Sequence, residues 1–250
     1  DLDLTYGYSD SYYFRNDDCV FEDITDEYNI DRQGSRGMVA GDIDNNGYPD
    51  ILKWRFQEYD PIDSLLYLDS YDSFSRMPHH LLLNYGSHGF STKIYLEEQN
   101  LPFLHSQGLI DVDLDGDLDI VAIEKEGDQQ FYIFRNDGID SDGNIILEEI
   151  FSYIQTDGST SRTLAIADFD NDGDQDVYIP RKYGINWLFE NQTLSGTFGD
   201  VQYNENPDPL FTEVALEKNV HDDSFVGLGS MGYGAAFGDY DNDNDNDLYL

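Results

Sequence analysis

Residues Asp168 to Asp176 read D-F-D-N-D-G-D-Q-D, placing a carboxylate at every second position. So many negative charges within nine residues repel one another unless a positive charge sits among them. Every donor is a hard oxygen, and no His or Cys accompanies them. That set suits Ca²⁺, with its flexible shell of about six to eight oxygens, better than a transition metal. The expected ligands are the side chains of Asp168, Asp170, Asp172 and Asp176, with the backbone carbonyl of Asp174 between them. Gly173 has a mechanical part, because a chain bending round a small ion commonly needs positive φ at one residue.

The pattern recurs at Asp42–Asp50 (D-I-D-N-N-G-Y-P-D), Asp111–Asp119 (D-V-D-L-D-G-D-L-D) and Asp239–Asp247 (D-Y-D-N-D-N-D-N-D). The four runs start roughly 60 to 70 residues apart, and a period of this size calls for a repeat architecture. Asp1-Leu2-Asp3-Leu4 resembles the end of a further run, so the chain reads as a piece of a longer polypeptide cut inside repeats at both ends.

The elements that must hold these runs are strands. Short small-residue segments precede them: Gly37–Gly41, Ser106–Ile110, Thr163–Ala167 and Gly234–Gly238. Apolar segments follow them: Ile51–Leu52, Ile120–Ile123, Val177–Ile179 and Leu248–Leu250. A third element, Tyr12–Asn16, His80–Asn84, Phe131–Asn136 and Trp187–Asn191, ends each time in Asn before turn residues, as strands ending at hairpins do. A weaker fourth strand follows in Val20–Ile24, Ser91–Leu96, Ile145–Phe151 and Leu210–Ala215.

Four strands per unit is the composition of a propeller blade. The reading is an all-β chain, a partial β-propeller of four-stranded blades with a calcium loop between the first two strands of each blade. Residues 1–36 end one blade, 37–105, 106–162 and 163–233 are complete blades, and 234–250 begin the next. No long stretch has the 3.6-residue period of a substantial helix. The connections Gln57–His79 and Gln192–Pro209 exceed hairpin length. The first is rich in tyrosine and reads as either an ordered excursion that contacts a partner or a structural cap.

Composition bounds the function. The 39% hydrophobic content supplies a core, and 14% aromatic residues lean towards strand structure. A formal charge of −39 with 13 Lys plus Arg excludes the basic footprint that nucleic acid requires, and disfavours an anionic membrane surface. No apolar run is long enough for a membrane helix. Cys19 stands alone, as a buried thiol or one paired outside the chain.

The segments Ala165–Ile179 and Gly234–Leu250 resemble FG-GAP/VCBS repeats, the repeat of the integrin α-subunit propeller and of many secreted propellers. Leu188-Phe-Glu-Asn191 together with Phe211-Thr-Glu-Val214 is also similar to the cartilage acidic protein group. The resemblance implies ligation by side chains at positions one, three, five and nine, and by the carbonyl at position seven. The implied ligands are Asp42, Asp44, Asn46, Tyr48 and Asp50 in loop one, and Asp111, Asp113, Asp115, Asp117 and Asp119 in loop two. In loop three they are Asp168, Asp170, Asp172, Asp174 and Asp176, and in loop four Asp239, Asp241, Asp243, Asp245 and Asp247. Neutral Asn46 implies the weakest affinity in loop one. Asn244 replaces the glycine of loop four, and Asn tolerates the left-handed region.

Rival readings are weaker. An EF-hand needs Glu at position twelve and flanking helices, but that position holds Lys53, Ala122, Ile179 and Leu250. Acidic turns without metal remain the plain alternative, chiefly for loop one. Gly227–Gly232 fits G-x-G-x-x-G but runs into a strand rather than a helix, so its glycines read as close strand packing. The histidines show no zinc spacing, and no nucleophile motif or selected carboxylate pair emerges. Asn191-Gln-Thr193 is a glycosylation sequon or a chance match; if used, Asn191 must lie at an exposed strand end.

The expectation is a calcium-stabilised, non-catalytic extracellular or cell-surface module with about four Ca²⁺ sites. Its surfaces would serve adhesion, scaffolding, or protein or glycan binding within a larger assembly. The alternative is a propeller enzyme, a carbohydrate lyase or hydrolase with structural calcium.

Overall fold

The computed structural model describes residues 12–28, 30, 35–55, 80–94, 104–124, 130–154, 159–197, 200–221 and 234–250. The Asp1–Leu4 stretch, the 57–79 connection and the 227–232 glycine run lie outside them. The chain divides into two compact units, Asp1–Phe103 and Leu104–Leu250.

In the first unit, β1 (Phe14–Asp17) and β2 (Val20–Asp23) make an antiparallel hairpin. Cys19 sits in its turn and is exposed, which corrects the buried-thiol reading. Strands β3 (Ser35–Gly41), β4 (Asp50–Arg55), β5 (His80–Asn84) and β6 (Phe90–Ile94) form one antiparallel sheet in that order. The unbroken apolar run Leu81-Leu82-Leu83 in β5 is buried throughout, as expected of a strand covered on both faces. Leu82 packs with Tyr13 and Ile30, and Ile24, Tyr28, Ile51 and Phe90 surround them.

The second unit begins with β7 (Leu104–Ile110), β8 (Asp119–Glu124), β9 (Gln130–Ile139) and β10 (Ile145–Ile154), again one antiparallel sheet in chain order. Next come β11 (Thr160–Ser161), β12 (Ala165–Ala167), β13 (Asp176–Ile179), β14 (Arg181–Lys182), β15 (Trp187–Asn191), β16 (Leu194–Thr197), β17 (Asp200–Tyr203) and β18 (Phe211–Glu213). Of these, β12-β13-β15-β18 form the third four-stranded sheet. The pairs β11–β14 and β16–β17 are small two-stranded additions. Finally β19 (Ala236–Gly238) pairs with β20 (Asp247–Tyr249).

Strand alternation explains the stacking, because successive side chains leave a strand on opposite faces. From the third sheet, Val177, Ile179, Trp187, Phe189 and Phe211 point to one face. There they meet Ile110, Val121, Ile123, Phe131 and Ile133 of the β7–β10 sheet. The Phe131 and Phe189 rings stack with centroids 4.6 Å apart, and Phe131 meets Phe211 edge-on at 6.2 Å. The intervening residues Tyr178 and Leu188 point the other way, towards Val214, Ala215, Phe237 and Leu248. The third sheet is therefore apolar on both faces and lies between two neighbours.

The all-β reading holds: among the described residues the helical element is the single 3-10 turn Gly86–His88. One connection differs from its reading as a loop, since Gln192–Pro209 contains the β16–β17 hairpin. Its strands are four residues each, and the Asp-Val-Gln-Tyr alternation of β17 is too short to stand out.

Candidate cation-binding loops

Each acidic run joins the first two strands of a sheet or hairpin: loop one links β3 to β4, loop two β7 to β8, loop three β12 to β13, and loop four β19 to β20. The backbone bends through the left-handed region twice in each. At position six the φ values are 89° for Gly47, 97° for Gly116, 108° for Gly173 and 76° for Asn244. At position four they are 55° for Asn45, 61° for Leu114, 60° for Asn171 and 61° for Asn242. The sequence announces the sixth position through its glycine. It conceals the fourth, where Leu114 adopts a conformation costly for a residue with a Cβ.

These bends aim backbone N–H groups at the first carboxylate. The N–H of position six donates to Oδ2 of Asp42, Asp111, Asp168 and Asp239 at 2.8, 3.1, 3.0 and 3.0 Å. The N–H of position seven donates to the side-chain oxygen of position five in every loop, at 2.9 to 3.2 Å.

The carboxylates converge. One oxygen from each member lies within 4.8 Å of the others in the groups Asp42, Asp44 and Asp50; Asp111, Asp113 and Asp115; Asp168, Asp170 and Asp176; and Asp239, Asp241 and Asp247. Loops one, three and four thus bring together positions one, three and nine, whereas loop two brings together one, three and five. Asp172, Asp243 and Asp119 stand outside these groups. Three of the position-seven side chains turn elsewhere. Tyr48 is 48% exposed, Asp245 Oδ1 accepts the Asn171 side-chain amide at 2.8 Å, and Asp174 Oδ2 accepts the Leu194 N–H at 2.6 Å.

The donor set fits a hard divalent cation. Asp111 Oδ1 and Asp113 Oδ1, both in the converging group of loop two, are buried oxygens without a hydrogen-bond partner among the described residues. A buried anionic oxygen left in this way is costly unless a cation or proton meets it. Burial is the main cause raising the loop acids: Asp170 to about 6, Asp119 to about 7 and Asp176 to about 8, with neighbouring carboxylates adding to it. Asp172 and Asp174 are pushed up for the same first reason. Bound Ca²⁺ would supply the charge that lets these groups ionise together.

The ninth aspartate has a second task. Its Oδ2 accepts the N–H of position two, from Ile43, Val112, Phe169 and Tyr240, at 2.8, 2.8, 2.9 and 3.0 Å. In three loops its Oδ1 accepts the N–H of the asparagine that ends or approaches the end of the third strand. Asn84 donates to Asp50 at 2.7 Å, Asn136 to Asp119 at 2.8 Å and Asn191 to Asp176 at 2.9 Å. The sequence places these asparagines at strand ends but does not announce the carboxylate each one meets. Their recurrence at one place in each unit was the available signal.

Asn191 also corrects the sequon reading. It is fully buried, with Nδ2 donating to the Val112 carbonyl at 3.0 Å, so its amide is closed to a glycan in the folded chain.

No curated protein matches the chain. The stretch from the first aspartate of loop two to the end of β13, residues 111–179, matches the family model of the FG-GAP-like repeat.

Proposed function

We propose that the chain is a calcium-stabilised β-propeller module, extracellular and non-catalytic, whose acidic loops clip the first two strands of each blade and leave the surfaces free for binding. The observation that carries this reading is the repetition. Four loops with the same two backbone bends each draw three carboxylates together at the same place in the strand order. The four-stranded antiparallel sheets stacked through the Phe131–Phe189 core support blades.

The FG-GAP-like stretch supports adhesion or scaffolding as the role, with a protein or glycan as the partner. Extracellular calcium modules bind with Kd of roughly 10⁻⁴ to 10⁻³ M. A calcium concentration about tenfold above Kd adds about 1.4 kcal/mol per site, or about 5–6 kcal/mol for four. That is comparable to the net stability of a domain, so calcium would control whether the binding surfaces exist at all.

The test has two arms. Equilibrium dialysis should show about four Ca²⁺ per chain, and cells should attach to the immobilised protein in millimolar calcium but not in chelator. Absence of bound calcium would overturn the metal reading. Calcium binding without calcium-dependent attachment would overturn the adhesive one.

A further inference from the structure

Asn191 bonds to two loops. Its backbone N–H holds Asp176 of loop three at 2.9 Å, and its side-chain Nδ2 holds the Val112 carbonyl of loop two at 3.0 Å. Val112 in turn donates its N–H to Asp119 Oδ2 at 2.8 Å. The Thr193 hydroxyl donates to the same Val112 carbonyl at 2.8 Å, and the Thr193 N–H donates to Asn191 Oδ1 at 3.0 Å, which orients the amide. The corresponding side chains of Asn84 and Asn136 donate to the carbonyls of Pro49 at 3.0 Å and Leu118 at 3.3 Å, each at the end of its own loop.

All these groups are buried: Val112, Asp119, Asp176 and Asn191 are at 0% exposure and Thr193 at 1%. Water does not replace a hydrogen bond lost there, so the chain from Asp176 through Asn191 and Val112 to Asp119 moves as one piece or breaks at a cost. We infer that Asn191, assisted by Thr193, is a positioning residue for two cation sites at once, so that filling loop three tightens loop two and the reverse. A cation on loop three fixes Asp176. Asp176 then fixes the Asn191 backbone, Asn191 fixes Val112, and Val112 stands between Asp111 and Asp113, two of the converging carboxylates of loop two. Linkage makes the effect reciprocal. This inference rests on the calcium reading of the loops.

The test is a calcium titration of the full chain followed by NMR at the Gly116 and Gly173 amides. Each donates to the first aspartate of its own loop, at 3.1 and 3.0 Å, and so reports that loop separately. Silencing loop three with Asp168→Asn and Asp170→Asn should weaken loop two about fivefold or more, the lower end of usual coupling. In an N191A/T193V background the same silencing should change loop two by less than about twofold, while T193S, which keeps the hydroxyl, should retain the coupling. Should N191A/T193V not fold, T193V alone carries the test: reduced coupling supports the inference and unchanged coupling contradicts it. Loop two indifferent to loop three in the native chain, or full coupling without the Asn191 and Thr193 donors, overturns the inference while leaving calcium binding intact. If neither amide responds to calcium, the calcium reading and the coupling fail together.

Discussion

Asp119 Oδ1 accepts the Asn136 N–H at 2.8 Å across 17 residues of sequence, while its Oδ2 accepts the Val112 N–H at 2.8 Å. One carboxylate therefore ties the start of a loop to its third strand before any cation is considered. Asp119→Asn keeps the shape but turns an amide NH₂ towards one of two N–H donors. The expected loss is about 1–3 kcal/mol, measured by denaturant unfolding in chelator. There, the same change at a residue serving only as a metal ligand would leave stability unchanged or raise it by relieving repulsion.

Leu114 sits at φ 61° with its side chain 40% exposed, where the other loops carry Asn45, Asn171 and Asn242. Leu114→Asn should stabilise the chain by about 1 kcal/mol, because Asn relieves part of the left-handed cost. Thermal melts of the two proteins in the same buffer would check the sign.

Stability should depend on pH in opposite ways with and without calcium. Burial raises Asp119 to about 7 and Asp176 to about 8, so without metal the folded chain keeps protons that the unfolded chain has already lost above its ordinary carboxylate range near 4. Their contribution favours folding at low pH and is lost as pH rises from about 4 through 7 to 8. In chelator the melting temperature should therefore fall between pH 5 and 8. In calcium the cation takes the place of the protons, so the fall should flatten or reverse, and binding should release protons.

Phe131 is fully buried and contacts both Phe189 and Phe211 of the next sheet. Phe131→Ala should cost about 3–5 kcal/mol in equilibrium unfolding. A smaller loss would mean that the two sheets do not depend on this contact.

Much of this arrangement was legible because it is written in local patterns. The runs Ile120–Ile123 and Trp187–Asn191 lie within strands β8 and β15, and Gly173 takes the positive φ that its place in the loop demands. What stayed hidden depends on tertiary contact. Asn191 matched a surface sequon, yet it is buried with its side-chain amide on the Val112 carbonyl of loop two, a contact that no local pattern encodes. The β16–β17 hairpin was likewise unreadable, since Leu194 is held by its N–H to Asp174. Leu114 carries no local sign of its left-handed backbone, which is imposed by the loop it closes.

The most direct measurement is calorimetric unfolding of the chain in millimolar calcium and in chelator at the same pH and ionic strength. Four sites at about 1.4 kcal/mol each predict a melting temperature higher by roughly 10–20 °C in calcium. Identical melting temperatures in the two buffers would contradict the account.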